Sequence, residues 1–414
     1  MSVEEIRADT AAGSAAALRA LVPAAASVGD AVAEIIEGVR AGGHDALVRY
    51  AEAFDGVVAG TSLRVTEAEL AAALNGLDPV VRAGLEAARD NISEVAAAAL
   101  MADRSVELAP GHRVTLREVA VRRAAIYAPG GRNPYPSTVL MGAATAQAAG
   151  VEQIVVCAPG GHPLMLAACA LCGVSEVWRI GGAHAVAALG FGTAELDPVD
   201  VVAGPGNLYV QEAKRLLAGD RFGIDGFAGP SDLLVLAGAD APPAIVAADL
   251  RAQAEHGVGS VVGLVTDSAE LAAAVRSELS SSPFAGVAGI VEVSGPDQAL
   301  AVSEAFAPEH LQLIGAAMEP LASRVTRAGC TFVGAATGVA FGDYIVGANH
   351  TLPTAGAARF ASVMSVRTFR RLTSVVELDA AAAARLADLA APVAEAEGFS
   401  QHAASMRLRQ NPSS

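Results

Sequence analysis

Four short apolar runs, each closed by glycine, constrain this chain more than any other feature. They are AAIYAPGG from residue 124, QIVVCAPGG from 153, EVWRIGGA from 176 and DVVAGPGN from 200. Each glycine stands where a strand would hand over to a helix, and helical stretches fill the intervals. Strands alternating with helices make a parallel α/β unit. A second series follows: DLLVLAG, SVVGLVTD, AGIVEVSG, HLQLIG and CTFVG. The expected fold is therefore α/β, with two tandem Rossmann-like parallel units, a helical N-terminal region and a helical C-terminal tail. The chain of 414 residues is too long for one ordinary core. Expected boundaries are a helical arm over 1–25, one α/β domain over 123–232, a second from 26–122 plus 233–365, and a tail over 366–414.

Local signals fit this division. Ser27-Val28-Gly29-Asp30 precedes a helix with a glycine stop, and Thr66 with Glu69 makes a capping box. Asp78-Pro79 opens a longer alanine-rich helix, and residues 113–127 alternate as one strand. In open α/β sheets ligands bind beyond the carboxyl ends of the strands, so functional residues are expected in strand-to-helix loops.

Charge and composition remove several classes of partner. The formal net charge of −16 repels nucleic acid and anionic membranes. Gly, Pro, Gln, His or a charge interrupts every apolar stretch before it could cross a bilayer. The N-terminus carries acids early and lacks a basic segment before an apolar core, which predicts a cytoplasmic protein. Cys169 and Cys172 form a CxxC with no second pair to complete a zinc site. With Cys157 and Cys330 they read as small core residues in a reducing compartment. Lys214 is the sole lysine, and its surroundings suggest no desolvated amine for Schiff-base chemistry.

The histidines hold more chemistry. In FAPEHLQL, Glu309 and His310 stand side by side in an apolar run, where charge is rarely placed without a partner. Gln253 and His256 in QAEHG are three apart, so they share a helical face. The plainer reading is a histidine stabilising a helix end. GDYIVGANHTLPT places Asp343 and His350 among turn residues, a pattern commoner in sites than in spacers. EGFSQH carries Glu397 and His402, which alone would be a solvated helix face. Together, Gln253, His256, Asp343 and His402 supply nitrogen and oxygen ligands without sulfur, a set that suits a catalytic zinc better than a structural one.

Seven stretches in order then resemble the L-histidinol dehydrogenase family. They are YAPGGRNPYPSTVLM, GPGNLYVQEAKR, IDGFAGPSDLLVLA, QAEH, PEHL, GDYIVGANHTLPT and EGFSQH. The resemblance runs from about residue 25 to the end. It implies oxidation of L-histidinol via histidinal to L-histidine with two NAD, in histidine biosynthesis. It implies one zinc per subunit, held by Gln253, His256, Asp343 and His402, and Glu309 and His310 as catalytic acid–base residues. Tyr127, His184 and Asn207 match NAD contacts, which puts the cofactor on the 123–232 domain. Ser231, His310, His350, Glu397 and the four metal ligands match substrate contacts. The resemblance also implies a homodimer with a shared active site, in which the C-terminal tail is exchanged.

Departures are visible. His184 stands where the family usually has glutamine, Asp232 where glutamate is more usual, and RNPYPS is bulkier than the common loop. Such changes leave open a paralogue acting on another small polar alcohol, such as a sulfonated diol. Two other classes are a zinc hydrolase, with Glu309 activating a metal-bound water, and a silent α/β binding protein. One geometric condition follows from adjacency. Neighbours on a strand point to opposite faces, so for Glu309 and His310 to meet one substrate the backbone near Pro308 must leave strand geometry.

Overall fold

Three sheets organise the chain in the computed structural model, which describes residues 3–22, 27–109, 111–130, 133–257, 259–281 and 286–410. In chain order the strands are β1 Val3–Ile6, β2 Arg104–Leu108, β3 His112–Ala120, β4 Arg123–Tyr127, β5 Gln153–Cys157, β6 Glu176–Trp178 and β7 Val201–Ala203. Then come β8 Gly223–Ile224, β9 Asp232–Ala237, β10 Val261–Thr266, β11 Val287–Glu292, β12 His310–Ile314, β13 Cys330–Val333 and β14 Arg370–Leu378. One parallel sheet has the order β6-β5-β4-β7-β8. The other has the order β1-β11-β10-β9-β12-β13. Both expected α/β units are therefore present. In each, the first strand of the α/β series (β4 or β9) is flanked on one side by the next two and on the other by a strand added later, while β1, from the N-terminal arm, joins the edge of the second sheet beside β11. That reversal is the switch point of doubly wound sheets.

Burial on both faces explains why these strands read as unbroken apolar runs. Along β9, Leu233, Val235 and Ala237 enter one core while Leu234 and Leu236 enter the other. Helices Pro243–Ala254 and Ala269–Ser280 pack on the first face, and Ala11–Ala20 and Pro296–Phe306 on the second. Among the described residues no helix is long and apolar enough to cross a membrane.

Contacts divide the chain into two units. The first, Met1–Ala99 with Arg122–Phe369, holds both parallel sheets. The second, Leu100–Val121 with Arg370–Ser414, holds the antiparallel sheet β14-β3-β2 and the helices Ala380–Ala396 and Ser400–Arg407.

Three local readings differ from the structure. Residues 113–127 are two strands, β3 and β4, in different units. The break is marked by Asp200, whose carboxylate accepts the backbone N–H of Arg122 at 3.1 Å and Arg123 at 3.0 Å. The tail from 366 begins with one short 3-10 turn, Val366–Phe369, and then β14 rather than a long helix; Thr373, Val375 and Val376 favour a strand there, and the α-helical pattern starts only after Asp379. The N-terminal arm, expected as helical, begins with β1, which pairs along β11, before the helix Ala11–Ala20. Residues 1, 2 and 23–25 of that arm lie outside the described residues.

Candidate active site

A cavity of about 1140 Å³ opens at the carboxyl ends of β4, β5, β6 and β7. Tyr127, His184 and Asn207 all line it. The Tyr127 hydroxyl accepts the Gly182 N–H at 2.9 Å, which leaves its own hydrogen free to donate. Burial pushes this phenol well above its ordinary range, so it stays protonated. Asn207 caps the helix Leu208–Leu217 by accepting from Tyr209 and Val210. His184 is 2% exposed and its Nε2 lies 2.8 Å from Asp55, whose carboxylate also accepts the Gly181 N–H.

The loop between β7 and Asn207 is held by a buried ion pair. Lys214, 1% exposed, donates to the Gly204 carbonyl and to Asp225 Oδ1, both at 2.6 Å. Asp225 Oδ2 in turn accepts the Gly204 N–H at 2.8 Å. The sequence reading finds no desolvated amine here; the structure corrects that. Lys214 is desolvated, but its pairing leaves no free amine for Schiff-base chemistry. Gly204 itself has φ 120°, and a Cβ there would fall 2.1 Å from the Tyr127 carbonyl oxygen. Only glycine permits this approach.

The acid–base pair lies elsewhere, at the amino ends of β9 and β12. The helix Pro296–Phe306 stops at Ala307, which adopts the left-handed conformation (φ 50°, ψ 68°). Pro308 disfavours the right-handed helical region at Ala307 and so helps end the helix. The ladder of β12 begins only at His310, opposite Leu233 and Cys330. Glu309 thus precedes the regular strand, and the adjacent side chains converge: His310 Nδ1 is 3.6 Å from Glu309 Oε2. Both are nearly buried, at 6% and 3% exposure. Functional residues were expected in strand-to-helix loops. Glu309, His310 and Ser231 instead sit where chain enters a strand, because the register of β12 on β9 brings these two entrances together.

Donors surround the carboxylate. Ser231 Oγ donates to Glu309 Oε2 at 2.5 Å and the Asp232 N–H at 2.9 Å. The Asp232 side chain returns a bond, accepting the Glu309 N–H at 2.6 Å. Burial raises the proton affinity of Glu309, but the hydrogen bond and charge of His310, with Ser231 and Asp232 N–H, outweigh it and hold Glu309 below the ordinary 4.5. Burial likewise opposes charge on His310, yet Glu309 and Asp343 raise it above 6.5. His310 Nδ1 also lies 3.3 Å from the Asp232 carbonyl, which can only accept, so Nδ1 carries hydrogen. Nε2, 3.8 Å from Asp343 Oδ1, is the nitrogen left to take a proton.

The remaining residues of the first unit gather here. The amide nitrogen of Gln253 donates to Ser231 Oγ, leaving Oε1 as its donor atom for a cation. His256 Nδ1 is 3.1 Å from the Gln253 carbonyl, an acceptor only, so Nδ1 carries hydrogen and Nε2 keeps its lone pair. His350 Nδ1 is 3.1 Å from the Asp343 carbonyl and Nε2 is 3.3 Å from Thr138 Oγ1. Burial lowers its affinity for a proton and favours the neutral ring. Ser231, Gln253, Glu309, His310, Asp343 and His350 are linked by these contacts. Glu397, the C-cap of Ala380–Ala396, and His402, 5.3 Å ring to ring from Phe399, belong to the second unit.

Comparison with known proteins identifies the family. The histidinol dehydrogenase family model matches residues 22–410. The chain belongs to the histidinol dehydrogenase family. It is 44% identical to "Histidinol dehydrogenase" from Nocardia farcinica, covering 96% of this chain and 95% of that one. The protein of the same name from Thermobifida fusca is 43% identical, with 96% of each chain covered. A crystal structure of histidinol dehydrogenase from Elizabethkingia anophelis superposes with a TM-score of 0.91 at 28% identity, over 100% of this chain and 98% of that one. An acetylating aldehyde dehydrogenase from Geobacillus thermoglucosidasius shares the fold at a TM-score of 0.50 and 13% identity, over 89% of this chain and 97% of that one. This is an oxidoreductase family, and the α/β fold read from the sequence stands.

Whether the family's zinc fits can be asked of the donor atoms. Among the described residues no group of three His, Cys, Asp or Glu is arranged to hold a metal. The ligand set read from the sequence includes a glutamine and a histidine of the second unit, so such a group is not required. Gln253 Oε1, His256 Nε2 and the Asp343 carboxylate are oxygen and nitrogen donors of the types zinc takes, with Gln253 Nε2 and His256 Nδ1 engaged by hydrogen bonds, so the chemistry of the donor set fits the ion.

Supporting residues that the sequence reading did not single out are Asp55, Thr138 and Arg19. Their roles depend on contacts far along the chain, and only the buried polar type of Thr138 within a helix hinted at one.

Two outcomes are expected. Gly204→Ala should destabilise the protein by about 2 kcal/mol or more, measured by denaturant unfolding; unchanged stability would contradict the close approach to Tyr127. In chelated protein the Glu309–His310 pair should stabilise fully between 4.5 and 6.5. Below that window Glu309 protonates through its lowered value, and above it His310 deprotonates through its raised value. The gap in Tm between wild type and a Glu309→Gln/His310→Asn double variant should therefore narrow as pH rises above that window. A gap constant with pH would count against the pairing.

Proposed function

We propose that this protein oxidises L-histidinol through histidinal to L-histidine, reducing two NAD. The observation that carries the reading is the buried pairing of two bases with different proton affinities, Glu309 and His310, beside Asp343. An alcohol loses hydride only as its hydroxyl proton leaves, so the first oxidation needs a proton acceptor in reach. His310 Nε2 is that acceptor, with Nδ1 anchored on the Asp232 carbonyl. The aldehyde must then add water before it can lose a second hydride. Three donors converge on Glu309 Oε2 or its vicinity, and Oε1 is the oxygen with capacity to take the water's proton.

Each oxidation transfers one hydride to one NAD, and the water oxygen becomes the second oxygen of the carboxylate. Tyr127, His184 and Asn207 are the residues proposed to hold NAD, and their common cavity supports this. With Nε2 of His184 engaged by Asp55, its contribution to cofactor binding rests on the rest of the ring. Gln253, His256, Asp343 and His402 are the proposed ligands of one zinc per subunit, which when bound would fix the substrate's amine and imidazole in place. Ser231, His350 and Glu397 complete the proposed substrate contacts. Placement of Glu397 and His402 on the second unit, outside the first unit's cluster, suits a homodimer that shares its site, in a cytoplasmic biosynthetic enzyme.

The direct test supplies L-histidinol and NAD to purified enzyme. Two NADH and one L-histidine per histidinol are expected, lost on chelation and restored by zinc; absence of NADH from histidinol would refute the assignment. Cofactor choice gives a second prediction. The described cavity lining includes the acids Glu34 and Asp55, which disfavour a 2′-phosphate. NADP should be used at least about tenfold less efficiently than NAD in kcat/KM, and equal use would contradict that electrostatic reading.

A further inference from the structure

Arg19 lies in the N-terminal helix Ala11–Ala20, yet it reaches the turn that carries the acid–base pair. Its Nη2 donates to the Phe306 carbonyl and stands 3.5 Å from that of Ala307. Its guanidinium carbon lies 4.0 Å from the centre of the Phe306 ring. Its Nη1 lies 3.7 Å from Asp232 Oδ2. Asp232 is 1% exposed and touches both members of the pair. Its Oδ1 accepts from the Glu309 N–H, its N–H donates to Glu309 Oε2, and its carbonyl faces His310 Nδ1.

Two buried carboxylates, Asp232 and Glu309, therefore confront each other across reciprocal bonds. Like charges so placed drive one group to protonate or move away unless a cation compensates. Asp232 Oδ2 is buried without a hydrogen bond, and Arg19 is the cation facing it. Burial and the Glu309 charge still push the Asp232 carboxyl up to about 7, with Arg19 pulling the other way. The same guanidinium meets carbonyls that the helix Pro296–Phe306 leaves without intrahelical partners, beside the left-handed Ala307. Arg19 thus acts on the turn twice, through backbone carbonyls and through Asp232.

We propose that Arg19 is a positioning residue for the acid–base pair: through Asp232 and the Phe306–Ala307 carbonyls it holds the Ala307–His310 turn so that Glu309 and His310 converge. It touches neither substrate nor cofactor in this role, and its kinetic consequence rests on the function proposed above. A cap that served only the helix end would lower stability and leave turnover by the folded enzyme unchanged. A positioning residue must alter kcat while leaving NAD binding intact.

The test uses the full-length zinc enzyme with Arg19→Met, Arg19→Gln and Arg19→Lys. Arg19→Gln keeps a donor for the Phe306 carbonyl and loses the charge, so it decides the question if Arg19→Met does not fold. Each folded variant is assayed for kcat and for KM of NAD, and its histidine side chains are followed by NMR, with the His310 signal assigned by His310→Asn. The uncharged variants should lose about 10- to 100-fold in kcat at unchanged KM for NAD, and their His310 signal should move while that of His184 stays. Arg19→Lys should recover part of the loss. Wild-type kcat and an unmoved His310 signal in a folded, uncharged variant would overturn the proposal. Should wild type make no NADH from histidinol, the assigned function falls, and the His310 signal alone then decides for or against positioning by Arg19.

Discussion

Keeping the nearly buried Glu309 carboxylate ionised is the constraint on which the proposed chemistry depends. Desolvation of a carboxylate is costly, and a lone one would take up a proton and lose its value as a base. Here the cost is offset by the imidazole next to it, a hydroxyl and a backbone N–H. Those partners are available only because the chain enters β12 late. Ala307 turns left-handed, Pro308 follows, and Glu309 stands at the entrance of the strand, its carbonyl accepting the Cys330 N–H, and there the two neighbouring side chains face one another.

The two parallel sheets contribute opposite ends. The first offers the carboxyl ends of its strands, as doubly wound sheets usually do, and there the cavity with Tyr127, His184 and Asn207 opens. The second offers the amino ends of β9 and β12. The helix Pro136–Ala149 links the regions within the first unit: it follows the cavity-lining Asn133-Pro134 and carries Thr138, which meets His350. A second link is the segment from Asp225, which fixes the Gly204 loop, to Ser231, which donates to Glu309.

Strands β4–β7 and β9–β13 were legible because burial in a two-faced sheet writes a short apolar run, and glycine marks where most of them end; the short edge strands β1 and β8 carry no such run and were not. Of the antiparallel sheet only β3 was read, run together with β4. Its strands are largely exposed, and β14 carries polar and apolar residues without a clean alternation. Residue types at the candidate site were legible too, since PEHL, QAEH and GDYIVGANH hold titratable groups in settings that rarely contain them. What the sequence could not convey was which end of a sheet they occupy. That follows from register, His310 opposite Leu233, and from the left-handed Ala307, both set by tertiary packing. Arg19 was illegible for the same reason: nothing local connects an arginine in an alanine-rich helix with a turn that lies 287 residues further on at Phe306.

The division of labour between the two bases is the centre of this account, and separate half-reactions test it most directly. Single-turnover NADH formation would be followed from L-histidinol and, independently, from histidinal, in Glu309→Gln and His310→Asn enzymes loaded with zinc. His310→Asn should slow both oxidations. Glu309→Gln should slow the step from histidinal by about 100-fold or more relative to the step from histidinol, since only the former needs an activated water. Equal losses in both steps for Glu309→Gln would contradict the assignment of separate tasks to the pair.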